Sequence, residues 1–259
     1  MPAAERPQPE RRLIYRESLP CPPLAAYVRC LWTLETSSVA PIAPVFPDGS
    51  MELVFHLDEP FTQIAASGAG VPQPPSFLVG QMCQPLLLRP GRRSRVIGVR
   101  FVPGGAYPFL RFPQTEATGQ LIPLDAVWGP AIERLHEQLC LAPPDQAWAQ
   151  VEAFLLAHCD LRASAAFHQL THQRVGDRQQ RRRFRQIVGL NPRDLAALRR
   201  FQRALRCIPR LDLPEAAGAC GYYDQSHMAL EFRRFAGVTP SAWRREQLAL
   251  TASFVSESS

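Results

Sequence analysis

Leu213 to Trp243 reads LPEAAGACGYYDQSHMALEFRRFAGVTPSAW. Glu215 to Cys220 is short and alanine-rich, which lets a second helix pack close, and Gly221 stands where a helix C-cap needs positive φ. Asp224 then offers an N-cap oxygen to the next helix. Along that helix Met228, Phe232 and Phe235 fall at helical spacing and face a core, while Gln225, Ser226 and Arg233 lie off the stripe. Gly237 and Pro240 stop it. Two short helices around a glycine turn, the second studded with polar residues, form the arrangement that a DNA major groove admits.

A second unit of this kind lies upstream. Val175-Gly176-Asp177 precedes RQQRRRFRQIVGLNP, with Asp177 in the opening turn and Gly189 and Pro192 closing. On that helix Arg178, Arg181, Arg182 and Arg185 share one face, and Phe184, Ile187 and Val188 another. A solvated arginine face has the same pattern. Between the two units, Pro192 to Ile208 predicts a long amphipathic helix through Leu195, Leu198, Phe201, Leu205 and Ile208.

The run GYYDQSH, then F, then FAGVTP, together with the upstream unit, resembles the AraC/XylS family of bacterial transcription regulators. The resemblance implies sequence-specific binding of double-stranded DNA by two helix-turn-helix heads, with the long helix as a rigid spacer setting them about one DNA turn, roughly 34 Å, apart. It implies contacts from Arg178, Gln179, Arg181, Arg182 and Arg185 at the first head and from Gln225, Ser226, His227 and Arg233 at the second. Arginine suits guanine O6 and N7, and glutamine suits adenine. His227 has an alternative role, hydrogen-bonded under the turn. Arg199, Arg200, Arg203, Arg233, Arg234, Arg244 and Arg245 fit backbone contacts or solubilising charge. The chain departs from the family at Gln180, usually an apolar core residue, at Arg174, usually glycine, and at Leu230, often arginine. These departures bear on sequence preference rather than on fold.

Charge follows the same division. All 29 basic residues are arginine. From Asp160 to Gln247 there are 17 arginines against 8 carboxylates, whereas residues 1–159 carry 12 against 14. The surplus therefore coincides with the paired helical units, which favours a polyanion partner over a merely solvated face.

Upstream the punctuation changes to Pro and Gly. Met51–Leu57, Phe77–Gly80, Pro85–Leu88 and Val96–Val102 read as strands of an antiparallel sandwich or small barrel, and Pro123–Leu141 as one or two helices closing it. The expected class is α+β: a β-rich, cupin-like N-terminal domain followed by an all-α domain with two helix-turn-helix units joined by a long helix. The expected divisions are a flexible arm over 1–12, a regulatory domain over 13–145 broken off at Ala142-Pro143-Pro144-Asp145, a DNA-binding domain over 146–247 and a flexible tail over 248–259. The segments PPLAAYVRCLWTLE, FPDGSMELVFHL, VIGVRFVPGGAYPFL and IPLDAVWG resemble a sensor-like domain found ahead of this module. That resemblance implies a small-molecule effector or a dimerisation role, allows RNA polymerase as a protein partner, and leaves monomer and homodimer both open. Trp32, Phe46, Phe55, Phe101 and Tyr107 either line a pocket or fill a core, and Asp48 sits in a Pro-Asp-Gly turn within reach of a ligand.

Enzymatic chemistry has little support. Among the expected strands only His56 is a histidine, so a metal cupin lacks its ligands, and no H-E-x-x-H, G-x-S-x-G or phosphate loop occurs. No catalytic residue, metal or cofactor is expected. The seven cysteines show no paired spacing, and no apolar run reaches a bilayer's width, which together suit a cytoplasmic protein with no membrane partner. The alternative class is a small-molecule-binding or protein-interaction module with a degenerate helix-turn-helix domain. A metal-dependent barrel enzyme is a third.

Overall fold

The computed structural model describes residues 13–37, 41–110, 112–172 and 177–247. The expected arm and tail, and Arg174, lie outside them. The α+β class holds: two antiparallel sheets precede a run of helices. The larger sheet orders its strands β1 (Leu13–Ser18), β2 (Val28–Thr36), β9 (Ser94–Phe101), β4 (Glu52–His56), β7 (Ser76–Val79) and β10 (Leu121–Pro123). The smaller orders β3 (Ala43–Val45), β8 (Leu86–Arg89), β5 (Thr62–Ile64) and β6 (Gly70–Pro72). Helices α1 (Asp125–Trp128), α2 (Pro130–Leu141), α3 (Pro144–Ala157) and α4 (Leu161–His172) follow, then α5 (Arg178–Val188), α6 (Pro192–Cys207), α7 (Leu213–Cys220) and α8 (Gln225–Ala236). Residues 240–247 are helical as well.

Strand alternation gives the larger sheet two different faces. Leu31, Leu53, Phe55, Leu78, Ile97, Val99 and Phe101 belong to a core completed by Ile132, Leu135 and Leu139 of α2 and by Val151 and Leu155 of α3. Their alternates Cys30, Trp32, Val54, Phe77 and Val96 form a separate cluster on the opposite face. Phe55 and Phe101, two of the aromatics considered for a pocket, are core residues with almost no exposure.

The core of the β domain extends into helices beyond residue 145. Phe167, Ile187, Val188 and Leu195 all join it. The second half of α6 instead builds its own core with α7 and α8, in which Leu198, Phe201 and Ala204 meet Ala216, Ala217 and Cys220, and Met228, Phe232 and Phe235 close it. The two buried alanines of α7 let it approach α6, as their size predicts. Burying each such Leu or Phe side chain contributes about 1.5–3 kcal/mol.

Candidate nucleic-acid interface and the cavity behind it

Both reading helices start and stop as their sequences require. Asp177 Oδ1 accepts from the Gln180 amide at 2.7 Å, and Asp224 Oδ1 from the His227 amide at 2.7 Å. Gly189, Gly221 and Gly237 take left-handed φ of 85°, 81° and 74° at the helix C-caps.

All nine expected contact residues are exposed: Arg178, Gln179, Arg181, Arg182 and Arg185 on α5, and Gln225, Ser226, His227 and Arg233 on α8. Among the described residues no ion pair engages Arg178, Arg181, Arg182, Arg185 or Arg233. Two other arginines are tied down. Arg200 grips Glu231 with two hydrogen bonds, at 2.7 and 3.1 Å, and lies over the Tyr222 ring, while Arg234 reaches Asp194 at 3.2 Å. These two hold α8 on α6 and are structural. His227 is partly committed as well: the Tyr223 amide points at its Nδ1 at 3.4 Å and Glu231 lies 3.8 Å from its Nε2. The contact with the Tyr223 amide corresponds to the alternative role of a histidine hydrogen-bonded under the turn. Tyr223, 93% exposed beside the N-cap of α8, is a candidate contact that the sequence reading passed over. The pairing Tyr222-Tyr223 held the clue, since Tyr222 is buried and its neighbour must then face outward.

The reading unit is seated on the β domain. Thr118 donates from Oγ1 to the Gly189 carbonyl at 3.0 Å, and Gln202 of α6 donates to the Pro47 carbonyl at 2.5 Å. Phe46 packs edge-on against Phe201 and Trp243, with ring centroids 6.0 and 5.2 Å away. Gly49, at φ 80°, lies against α6 so closely that a Cβ there would stand 2.9 Å from Leu195. Phe46 is therefore a contact between the two regions as much as a pocket residue.

Behind α6 lies a cavity of about 430 Å³ between the two sheets. Trp32, Val54, Phe77 and Val96 form its larger-sheet wall, Val45, Leu86 and Leu88 come from the smaller sheet, and Gln202 and Leu205 of α6 complete it. Asp48 lines it, and Tyr107 does not. Strand register explains its polar end. Glu52 stands opposite Arg100, and Trp32 opposite Gly98. A Cβ at Gly98 would collide with the indole, so glycine lets Trp32 lie flat on β9. Arg100 Nε donates to Glu52 Oε1 at 2.6 Å, and Trp32 Nε1 to Glu52 Oε2 at 3.1 Å. Burial pushes the Glu52 carboxyl above the usual range, and Arg100 offsets that only in part. His56 donates from Nε2 to Gln73 Oε1 at 3.1 Å, and burial lowers its pKa to about 4, so the imidazole is neutral.

Cys21, Cys30, Cys83, Cys140, Cys159 and Cys220 all have thiols pushed up by burial. Nothing there activates a thiolate. Among the described residues no three His, Cys, Asp or Glu side chains are grouped to hold a metal ion, and no helix is long and apolar enough to cross a membrane.

Residues 169–246 match the model of a helix-turn-helix domain, which spans both reading helices, the spacer and α7. The C-terminal part of the chain thus carries an AraC-type helix-turn-helix domain. The protein is a DNA-binding transcription regulator. Residues 16–123 match a further model, a domain of unknown function, which covers most of the β domain. No curated protein matches the chain significantly. Solved structures of ToxT from Vibrio cholerae are similar at low level. One is a 1.65 Å structure with 10% identity, covering 83% of this chain and 97% of that one at a TM-score of 0.37. Another, from strain O395 and bound to (E)-4-(8-methylnaphthalen-1-yl)but-3-enoic acid, has 10% identity, 82% and 96% coverage and a TM-score of 0.39. At that level of likeness nothing about ligand or mechanism transfers.

Proposed function

We propose that this regulator reads a specific operator with α5 and α8 as paired heads in successive major-groove segments, and that a small molecule held between the sheets modulates the reading. Arg178, Gln179, Arg181, Arg182 and Arg185 contact DNA from the first head, and Gln225, Ser226, His227 and Arg233 from the second. Residues 13–145 form the regulatory part and 146–247 the DNA-binding part, with α3 and α4 packed back onto the former. The observation that carries this reading is the seating of α6. The helix that spaces the two heads supplies Gln202 and Leu205 to the cavity wall, so a ligand there touches the spacer directly.

The mechanism is electrostatic first and geometric second. Arginines brought against phosphates release condensed counterions, so affinity falls steeply with salt, and base-edge contacts add about 1–3 kcal/mol of discrimination each. A rigid spacer turns two weak contacts into one bivalent one, and a shift of α6 against the β domain spoils the spacing. No catalytic role, metal or cofactor enters this reading. The protein works in the cytoplasm, as monomer or homodimer, and RNA polymerase is the natural further partner.

The test is a fluorescence-anisotropy titration against duplexes from upstream of the protein's own gene and its neighbours, at several salt concentrations, with scrambled duplex as control. Preference for a native fragment is expected. Equal, salt-sensitive binding to both would reduce the protein to an electrostatic module, and no binding at low salt would overturn the reading.

A further inference from the structure

We propose that the cavity between the sheets selects a hydrophobic amine, an aromatic or aliphatic body bearing one protonated nitrogen, and rejects carboxylates of the same shape. This rests on the cavity being the effector site. Its volume of about 430 Å³ suits a small organic molecule. Most of its wall is apolar, with Trp32, Phe61 and Phe77 offering ring surface to a flat body.

Charge is confined to one end, the far end holding the neutral His56–Gln73 pair, and the charges there are unequal. Asp48, Glu52 and Arg100 are the cavity's charged lining residues, which leaves one negative charge in excess. At the rim Glu17 stands 3.6 Å from Arg100 and Arg29 stands 3.4 Å from Asp48, so these two cancel and the excess persists. Arg100 is shared among Glu52 at 2.6 Å, Asp48 at 3.8 Å and Glu17 at 3.6 Å. A second cation would complete the set. Burial raises the Glu52 carboxyl above the usual range, with Asp48 adding to the shift and Arg100 opposing it, and a second cation beside the pair would oppose it further. A carboxylate approaching Arg100 would instead meet Asp48 and Glu52, both already set against that guanidinium.

Aromatic geometry adds to the charge. Trp32 lies flat over Gly98 with its edge nitrogen on Glu52, and the Tyr15 ring stands 6.1 Å from it, centroid to centroid. An ammonium at this end meets π faces and carboxylates together, the combination by which proteins recognise organic cations. Asp48 and Glu52 both keep acceptor capacity for its N–H groups, since Asp48 Oδ1 takes only the Ser50 amide and Glu52 takes one donor on each oxygen.

The experiment compares three isosteric probes on the full-length protein by isothermal titration calorimetry at neutral pH: 4-phenylbenzylamine, 4-phenylbenzyl alcohol and 4-phenylbenzoate. The amine is expected to bind about tenfold or more tighter than the benzoate, with the alcohol between them. Glu52→Gln and Asp48→Asn should each shrink that gap, and Asp48→Asn retains the turn acceptor if Glu52→Gln proves unstable by circular dichroism. Leu88→Trp, which fills the cavity from the smaller sheet, should abolish binding of all three. Benzoate binding as tightly as amine, blocked by Leu88→Trp, overturns the charge selection while leaving the cavity as an effector site. Failure of all three to bind, or binding indifferent to Leu88→Trp, overturns both.

Discussion

The two reading helices are built to the same local plan and supported in opposite ways. Each begins on an aspartate that accepts an amide at 2.7 Å and ends on a left-handed glycine. Yet α5 buries Ile187 and Val188 in the core of the β domain, while α8 buries Met228, Phe232 and Phe235 in a core made with α6 and α7. Their charges differ too: among the described residues no ion pair engages an arginine of α5, whereas around α8 Arg200 and Arg234 are spent on Glu231 and Asp194. The first head is thus a charged face mounted on the β domain, and the second is built on a core of its own from α6, α7 and α8. A ligand in the cavity would meet α6, on which the second head is built, through Gln202 and Leu205, and would reach the first head only through the β-domain core.

The largest test of that difference is in the cores. Phe232→Ala should cost about 3–5 kcal/mol, and Ile187→Ala about 2–5 kcal/mol. Urea unfolding followed by circular dichroism and tryptophan fluorescence should show the first loss confined to the α6–α8 unit, with the β domain still cooperative. The second should loosen α5 and the β domain together. If both variants melt the whole chain as one unit, the separate support of the second head is refuted.

Acid should separate them next. His56 has a pKa of about 4 in the fold against about 6.5 when free, so between these values the unfolded chain binds a proton that the native one does not. The stability it contributes is complete above about pH 6.5 and is lost as pH falls towards 4, by up to about 3 kcal/mol. The loss falls on the β domain, and the first head rides on it. Urea midpoints measured from pH 7 to pH 4.5 should drop, and His56→Gln should flatten the profile; an unchanged slope in that variant would remove His56 as the cause.

What the sequence made legible was local. Caps, glycine stops and the stripe Met228, Phe232, Phe235 depend on neighbours within one helix, and the strands around Leu53, Phe77, Leu87 and Val96 are bracketed by Pro and Gly. Three-residue strands such as β3, β5 and β6 have too few positions for a period to show. The packing of α5 on the β domain was not legible either, because Ile187 and Val188 read equally well as the buried face of any helix. The same holds for Phe46, which sequence offers as pocket or core and which sits against Phe201, more than 150 positions away. Glu52 and Arg100 become a pair only through the register of β4 with β9, and that register is a tertiary fact.

At the DNA, Arg181→Ala with Arg182→Ala should weaken operator binding roughly a hundredfold and lower the salt slope by about two, since each lost phosphate contact removes close to one counterion. Gln225→Ala with Ser226→Ala should leave the slope almost unchanged and instead narrow the gap between native and scrambled duplex. Anisotropy titrations at several salt concentrations distinguish them. Equal slopes for the two variants would mean that the heads share the electrostatic work, contrary to their different charge pairing.

The smallest effect isolates the caps, the feature that the two helices have in common. Asp177→Ala and Asp224→Ala should each cost about 1 kcal/mol, because the same bond to the third amide of the helix is lost. Asparagine keeps that bond and removes only the charge. At α5, where Asp177 sits one turn before Arg181 and the arginine face carries the phosphate attraction, Asp177→Asn should tighten DNA binding by about twofold at low salt. At α8, Asp224→Asn acts beside Gln225 and Ser226, which are neutral, so its gain should be smaller. A larger gain at Asp224 would shift the electrostatic role to the second head and invert the comparison.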